Sequence, residues 1–95
     1  MKFEWDPKKA ARNLETHGVS FEDASTVFGD PLAATISDPE HSVGEARFIT
    51  IGLSAGGTLI VVVHTNRSDR VRMITARAAT RAEKKKCEEG EGKSH

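Results

Sequence analysis

The stretch Ala46–Arg81, ARFITIGLSAGGTLIVVVHTNRSDRVRMITARAATR, decides the fold. ARFITIGLS and TLIVVVHT are β-branched and apolar, and the AGG between them supplies the positive φ of a tight hairpin. TLIVVVHT and RVRMITAR are joined by NRSD, a four-residue polar loop of good turn formers. The near-continuous apolar run of TLIVVVHT predicts a strand buried on both faces. The third strand is mixed. Strict alternation puts Arg70, Arg72, Ile74 and Ala76 on one of its faces and Val71, Met73, Thr75 and Arg77 on the other. A meander of this kind holds several arginines rigidly at its rim.

Toward the C-terminus, Thr80-Arg81-Ala82-Glu83 is a capping box that opens a short, largely charged helix. Residues 1–89 are read as a single domain, and residues 90–95, GEGKSH, have no periodicity and are expected to be disordered. Toward the N-terminus, KFEW predicts a short strand with Phe3 and Trp5 on one side. Asp6 is an N-cap, Pro7 takes the first helical position, and Gly18 is a left-handed C-cap after a helix running to about His17. Pro7, Ala10, Ala11, Leu14 and His17 share one helix face, which predicts that this face packs. Ser20 caps a second helix, SFEDASTVF, whose stripe of Phe21, Ala24, Val27 and Phe28 predicts core. Gly29-Asp30-Pro31 stops it, LAATIS fits a short strand, and DPEHSVGE is a polar loop holding His41 and Glu45. The predicted fold is α+β: an antiparallel sheet with two N-terminal helices packed on it and a short C-terminal helix, in the order β-α-α-β-β-β-β-α.

Ninety-five residues make one domain, which hides about 64% of its unfolded surface. The longest apolar run, LIVVV, is far too short to cross a bilayer, and no secretory signal opens the chain. Cys87 is the single cysteine, so no internal disulfide forms, and a cytoplasmic location is expected. Residues 1–45 carry four Lys/Arg against nine Asp/Glu, a balance of −5, while residues 46–95 carry ten against five, a balance of +5. Such asymmetry fits a basic face that meets an anionic partner, or charges that balance once the halves are folded together.

The four histidines (17, 41, 64 and 95) and the one cysteine lack metal-ligand spacing, and AGG joins two strands and is no phosphate loop. No metal and no cofactor are expected. What remains is the cluster Arg67, Arg70, Arg72, Arg77 and Arg81, with Arg47 on the neighbouring strand. Arginine forks match phosphate oxygens bidentately and stabilise charge that develops at a scissile phosphate. His64 ends the middle strand beside them and suits general acid or base work. His17 reads either as a histidine capping terminal carbonyls or as a functional group. RNA carries its own nucleophile, the 2′-OH, so a small domain can cleave it with orientation, a charge clamp and modest proton transfer. Surface arginines bridged to Glu and Asp are the plain alternative.

Two sets of residues, W-D-x-x-K…N-x-x-x-H-G-V-x-F from Trp5 to Phe21 and R-x-R-x-I-T-A-R-x-A-T-R-x-E from Arg70 to Glu83, resemble those of the BrnT toxin family. The resemblance covers residues 3 to about 89. It implies a RelE-like ribonuclease of a type II toxin–antitoxin system that cleaves RNA and arrests growth. It also implies a BrnA-like antitoxin with a ribbon-helix-helix domain, and operator DNA bound through that antitoxin. The residues matching the family's charged motifs are Lys9, His17, Arg47, His64, Arg67, Arg72, Arg77 and Arg81. On this reading Arg72 and Arg77 clamp the scissile phosphate, and His64 or His17 moves protons. Lys9, Arg47, Arg67, Arg70 and Arg81 bind the flanking RNA. Related chains commonly end in an R-R-x-Y-E segment, whereas this one has Lys85-Lys86-Cys87-Glu88 and no tyrosine at all. The rival reading is a non-catalytic binding module or co-repressor that docks a DNA-binding partner through the same basic face.

Overall fold

The computed structural model describes residues 2–38, 40 and 44–86. His41, Cys87 and the 90–95 tail lie outside that range. Strand β1 (Lys2–Glu4) leads into helix α1 (Pro7–His17), helix α2 (Phe21–Ser25) and a 3-10 turn (Thr26–Gly29). Four strands follow: β2 (Ala34–Ser37), β3 (Arg47–Leu53), β4 (Leu59–Arg67) and β5 (Arg70–Ala78). Residues 81–86 form a last helical segment, α3. The sheet order is β1-β5-β4-β3-β2. Every pairing is antiparallel except that of β1, which runs parallel to β5. The sequence order agrees with the reading above. The parallel edge was not anticipated, because it depends on α1 and α2 carrying the chain from β1 across the sheet before β2 begins.

The local signals act as their chemistry dictates. Asp6 accepts the Lys8 N–H at 2.9 Å, and Gly18 closes α1 at φ 69°, a conformation that costs glycine nothing. Ser20 caps α2 through the Asp23 N–H at 3.0 Å. In the first hairpin Gly57 takes φ 85° and donates to the Ser54 carbonyl. In the second hairpin the strands run further than expected. Arg67 pairs with Arg70, so only Ser68 and Asp69 turn the chain, with Ser68 at φ 52°. The helix-side face of the sheet carries Ile60, Val62, Val71, Met73 and Ala76, against which Phe21, Ala24 and Val27 are fully buried. Burying a side chain such as Phe21 or Ile60 contributes about 1.5–3 kcal/mol each.

Helix α1 packs on a different face from the one its apolar residues predict. Leu14 is 52% exposed, Ala11 and His17 are exposed, and Asn13 is the buried residue of the helix. The Asn13 amide donates to the Val19 carbonyl at 2.9 Å and the Ala76 carbonyl at 2.8 Å, and its oxygen accepts the Ala76 N–H at 3.0 Å. Ala76 lies on the part of β5 that β1 does not reach. There the carboxamide does for β5 what a neighbouring strand would, and this polar clasp sets the rotation of the helix.

Candidate functional site

The sheet face away from the helices is built by register. Ile60, Val62 and His64 of β4 point to the helix side, so Val61, Val63, Thr65 and Arg67 point outward. On β5 strict alternation fails. Val63 pairs with Thr75 and His64 with Met73, which leaves Ile74 as a bulge residue. The extra residue resets the alternation, and Arg72, Thr75 and Arg77 all face outward. Four rows then cross the outer face: Lys2–Arg70–Arg67; Glu4–Arg72–Thr65–Arg47; Thr75–Val63–Ile49–Ile36; and Arg77–Val61–Ile51–Ala34. The face is cationic at the Ser68-Asp69 turn and apolar beyond it, with Ile36 63% exposed on the edge strand.

The arginines differ in how firmly they are held. Arg67 grips Glu45 bidentately, its Nε at 2.7 Å and Nη2 at 3.0 Å, and these bonds hold the Glu45 carboxyl below its usual range. Arg77 grips Glu83 bidentately at 2.7 and 3.0 Å. Arg70 lies 4.0 Å from Asp69. Among the described residues Arg72 has a single ion-pair contact, Nη1 to Glu4 Oε2 at 3.6 Å, with both side chains about one-third exposed. The acidic first half of the chain thus neutralises part of the basic second half, and Arg72 is among the least committed of the forks.

Arg77 and Arg72 share the outer face but stand four β4 residues apart, about 13 Å along the sheet. The Arg77 fork anchors α3. Glu83 accepts both its nitrogens and the Thr80 N–H at 2.8 Å, while Thr80 Oγ1 accepts the Glu83 N–H at 3.2 Å. Arg77, then the Thr80 N–H, draw the Glu83 pKa down to about 2. A carboxylate with a depressed folded pKa stabilises the fold above its unfolded pKa, near 4.5 here, and loses that contribution as pH falls toward 2. Because the pair is one-third to two-fifths exposed, Arg77→Ala is expected to lower stability by about 1 kcal/mol or less at pH 7. The difference from wild type is expected to shrink as pH falls below 4.5 and to vanish near pH 2 in thermal melts, with RNA cleavage changed only a few-fold.

Thr65 sits between Arg47 and Arg72 in the second row and is 2% exposed. Its Oγ1 is buried without a hydrogen-bond partner among the described residues. A hydroxyl on a residue paired in register with two arginines can serve as a further donor to an oxyanion that reaches this row.

The sheet separates His64 from the arginines. Its ring lies on the helix side, 2% exposed, edge-on to Phe28 and stacked on Phe48 at centroid distances of 4.9 and 5.9 Å. Nε2 meets Thr50 Oγ1 at 2.7 Å, Thr50 meets Thr35 at 2.7 Å, and Nδ1 meets Asn66 Oδ1 at 3.1 Å. Nδ1–H therefore donates to Asn66, and Nε2 accepts from Thr50, whose oxygen accepts from Thr35. Desolvation pushes the His64 pKa down, against the opposing pull of Asn66, and keeps the ring neutral. His64 does not end β4, as the sequence reading expects, because the strand continues to Arg67.

His17 and Lys9 do come together. With Arg12, Thr16, Ile74 and Thr75 they line a groove of about 280 Å³ between α1 and β5, beside the bulge, with no carboxylate among the described residues of its wall. Thr75 belongs both to this groove and to the outer face, in the row between those of Arg72 and Arg77. Arg81 is exposed in the first turn of α3. Among the described residues no cluster of three or more His, Cys, Asp or Glu is placed to hold a metal ion. No helix there is long and apolar enough to span a membrane.

Three residues escaped the sequence reading: Asn13, Glu4 and Thr65. Inward-facing Phe3 and Trp5 already imply an outward Glu4, but nothing local says that β1 lies beside Arg72. A polar Asn13 within an otherwise plausible helix face was the available signal for the clasp.

The profile described as "Ribonuclease toxin, BrnT, of type II toxin-antitoxin system" matches residues 5–83. Among solved structures the chain is similar to the Brucella abortus ribonuclease toxin BrnT, with a TM-score of 0.67 and 25% identity over 85% of this chain and 99% of that one. Comparison with curated proteins gives no match. The match across both halves of the chain and the shared sheet-and-helix framework place it in a family: the chain belongs to the BrnT ribonuclease toxins of type II toxin–antitoxin systems.

Proposed function

We propose that this chain is a cytoplasmic endoribonuclease that cleaves RNA on the outer sheet face without a metal ion. The observation that carries the reading is the second row, where Arg72 and Arg47 pair on either side of the buried Thr65 and, among the described residues, Arg72 is held by one loose ion-pair contact. A phosphate drawn between the two guanidinium groups meets bidentate donors and fixed positive charge, the stabilisation a phosphoryl transition state needs. Arg67 and Arg70 in the next row, with Arg81 and the Lys9–Arg12–His17 groove, hold flanking phosphates. Of the two described histidines, His17 is the one with access to RNA. The Arg77 fork serves the α3 junction.

Type II membership implies an antitoxin. A BrnA-like antitoxin with a ribbon-helix-helix domain is proposed to cover this face, laying acidic side chains on the arginine rows and apolar ones on Ile36, Ile49 and Val63, and carrying the complex to operator DNA. The apolar rows favour a protein partner on the same surface and would serve the non-catalytic reading equally well. Cleavage decides between them. Single-stranded RNA incubated with the purified chain is expected to be cut at the same rate with and without excess EDTA. Loss of cutting in EDTA with recovery in Mg²⁺ would overturn metal independence, and folded protein that binds RNA and never cuts it would establish the binding module.

A further inference from the structure

Glu4, Glu45, Asp69 and Glu83 are carboxylate partners of the outer-face arginines, and they are not equivalent. Asp69 sits on the turn, 4.0 Å from Arg70 and outside the row of Arg72. Glu45 and Glu83 each spend both oxygens on one arginine at 2.7–3.0 Å, and hydrogen bonding holds both below the usual carboxylate range. Both are therefore poor bases. Among the described residues Glu4 has one ion-pair contact, at 3.6 Å, with 27% of its side chain exposed. It also stands in the same row as the proposed phosphate site, next to Arg72 and two strands from Thr65. With strands about 4.8 Å apart, Glu4 lies roughly 10 Å from Thr65 across the sheet, which is room for one ribose beside its phosphate.

We propose that Glu4 is the general base of the cleavage reaction, taking the proton of the ribose 2′-OH while Arg72 and Arg47 hold the adjacent phosphate; this rests on the reading of the chain as an endoribonuclease. The 2′ oxygen, as its proton passes to a Glu4 carboxylate oxygen, forms a bond to phosphorus. The bond from phosphorus to the 5′ oxygen breaks, and its electron pair leaves with that oxygen, which takes a proton from water. Glu4 returns its proton to the hydroxide so formed. The products are a 2′,3′-cyclic phosphate and a 5′-hydroxyl, with no net change in protons. Arg72 has two duties in this arrangement: it holds the carboxylate toward the row in the free protein, and it turns to the phosphate when RNA arrives. The Thr65 hydroxyl, which has no partner among the described residues, donates to a phosphate oxygen.

The test compares wild type, Glu4→Gln and Glu4→Asp for cleavage of an RNA oligonucleotide and for affinity toward the same sequence fully 2′-O-methylated, which binds and cannot react. General base catalysis predicts that Glu4→Gln loses 10²–10⁴-fold in rate. Its affinity for the methylated strand should be equal or tighter, since a negative charge beside the phosphate site is gone. Glu4→Asp keeps the base on a shorter stem and is expected to cleave at least 10-fold faster than Glu4→Gln. A Gln variant that cleaves within threefold of wild type overturns the assignment alone. So does one whose rate and affinity fall together, which would make Glu4 only a support for Arg72. A wild-type chain that cleaves no RNA overturns the endoribonuclease reading and this assignment with it.

Discussion

Asn13→Ala is expected to destabilise the fold by about 3 kcal/mol and to lower the melting temperature by roughly 12–24 °C. The substitution removes three hydrogen bonds and strands the Ala76 N–H, the Ala76 carbonyl and the Val19 carbonyl in a buried place. Each unsatisfied buried group costs about 1–3 kcal/mol, and entry of water along the groove that Asn13 helps to line offsets part of the sum. Against a domain stability of about 5–15 kcal/mol this is a large share. Asn13→Asp is the sharper comparison. It keeps the oxygen that accepts from Ala76 and turns a carboxylate oxygen toward two carbonyls, so it should be no better than alanine at pH 7. Urea or thermal melts check both variants, and a loss under 1 kcal/mol for alanine would show that the clasp is dispensable. The clasp matters to function because it fixes α1 against β5 beside the bulge, and so places Lys9, Arg12 and His17 next to Thr75.

Much of the framework was legible. The two hairpins, the caps at Asp6, Ser20 and Thr80, the Gly18 stop and the buried middle strand all follow from local chemistry. The element order follows from their sequence. What could not be read locally is what decides the site. The bulge at Ile74 reverses the facing of every later β5 residue, and only pairing with β4 creates it; without it Arg72 and Arg77 would lie on opposite faces. The packed face of α1 was misjudged because a buried carboxamide replaced the apolar contact that periodicity searches for. His64 shares its parity with Ile60 and Val62, so its place on the helix side was within reach of the sequence, but polarity and a strand end set too early made it look like part of the rim. The neighbour relation of Glu4 and Arg72, 68 positions apart in the chain, is a matter of topology alone.

Arg72→Ala is expected to lower RNA cleavage by roughly 10²–10³-fold, the size of loss seen when one donor to a developing oxyanion is removed. The fold should hardly notice, because the contact it gives up is a single partly exposed pair at 3.6 Å, worth about 0–1 kcal/mol. Arg72→Lys keeps the charge and loses the planar fork, so it should recover part of the affinity for RNA and little of the rate. The contrast with Arg77, whose fork is spent on Glu83, makes the outer-face assignment specific to one row of the sheet. The direct measurement is the single-turnover cleavage rate of wild type, Arg72→Ala and Arg77→Ala on one RNA at one salt concentration, with melting curves alongside. The account predicts a loss of at least 10²-fold for Arg72→Ala at unchanged melting temperature, and near wild-type cleavage for Arg77→Ala. Full cleavage by a folded Arg72→Ala protein would contradict it.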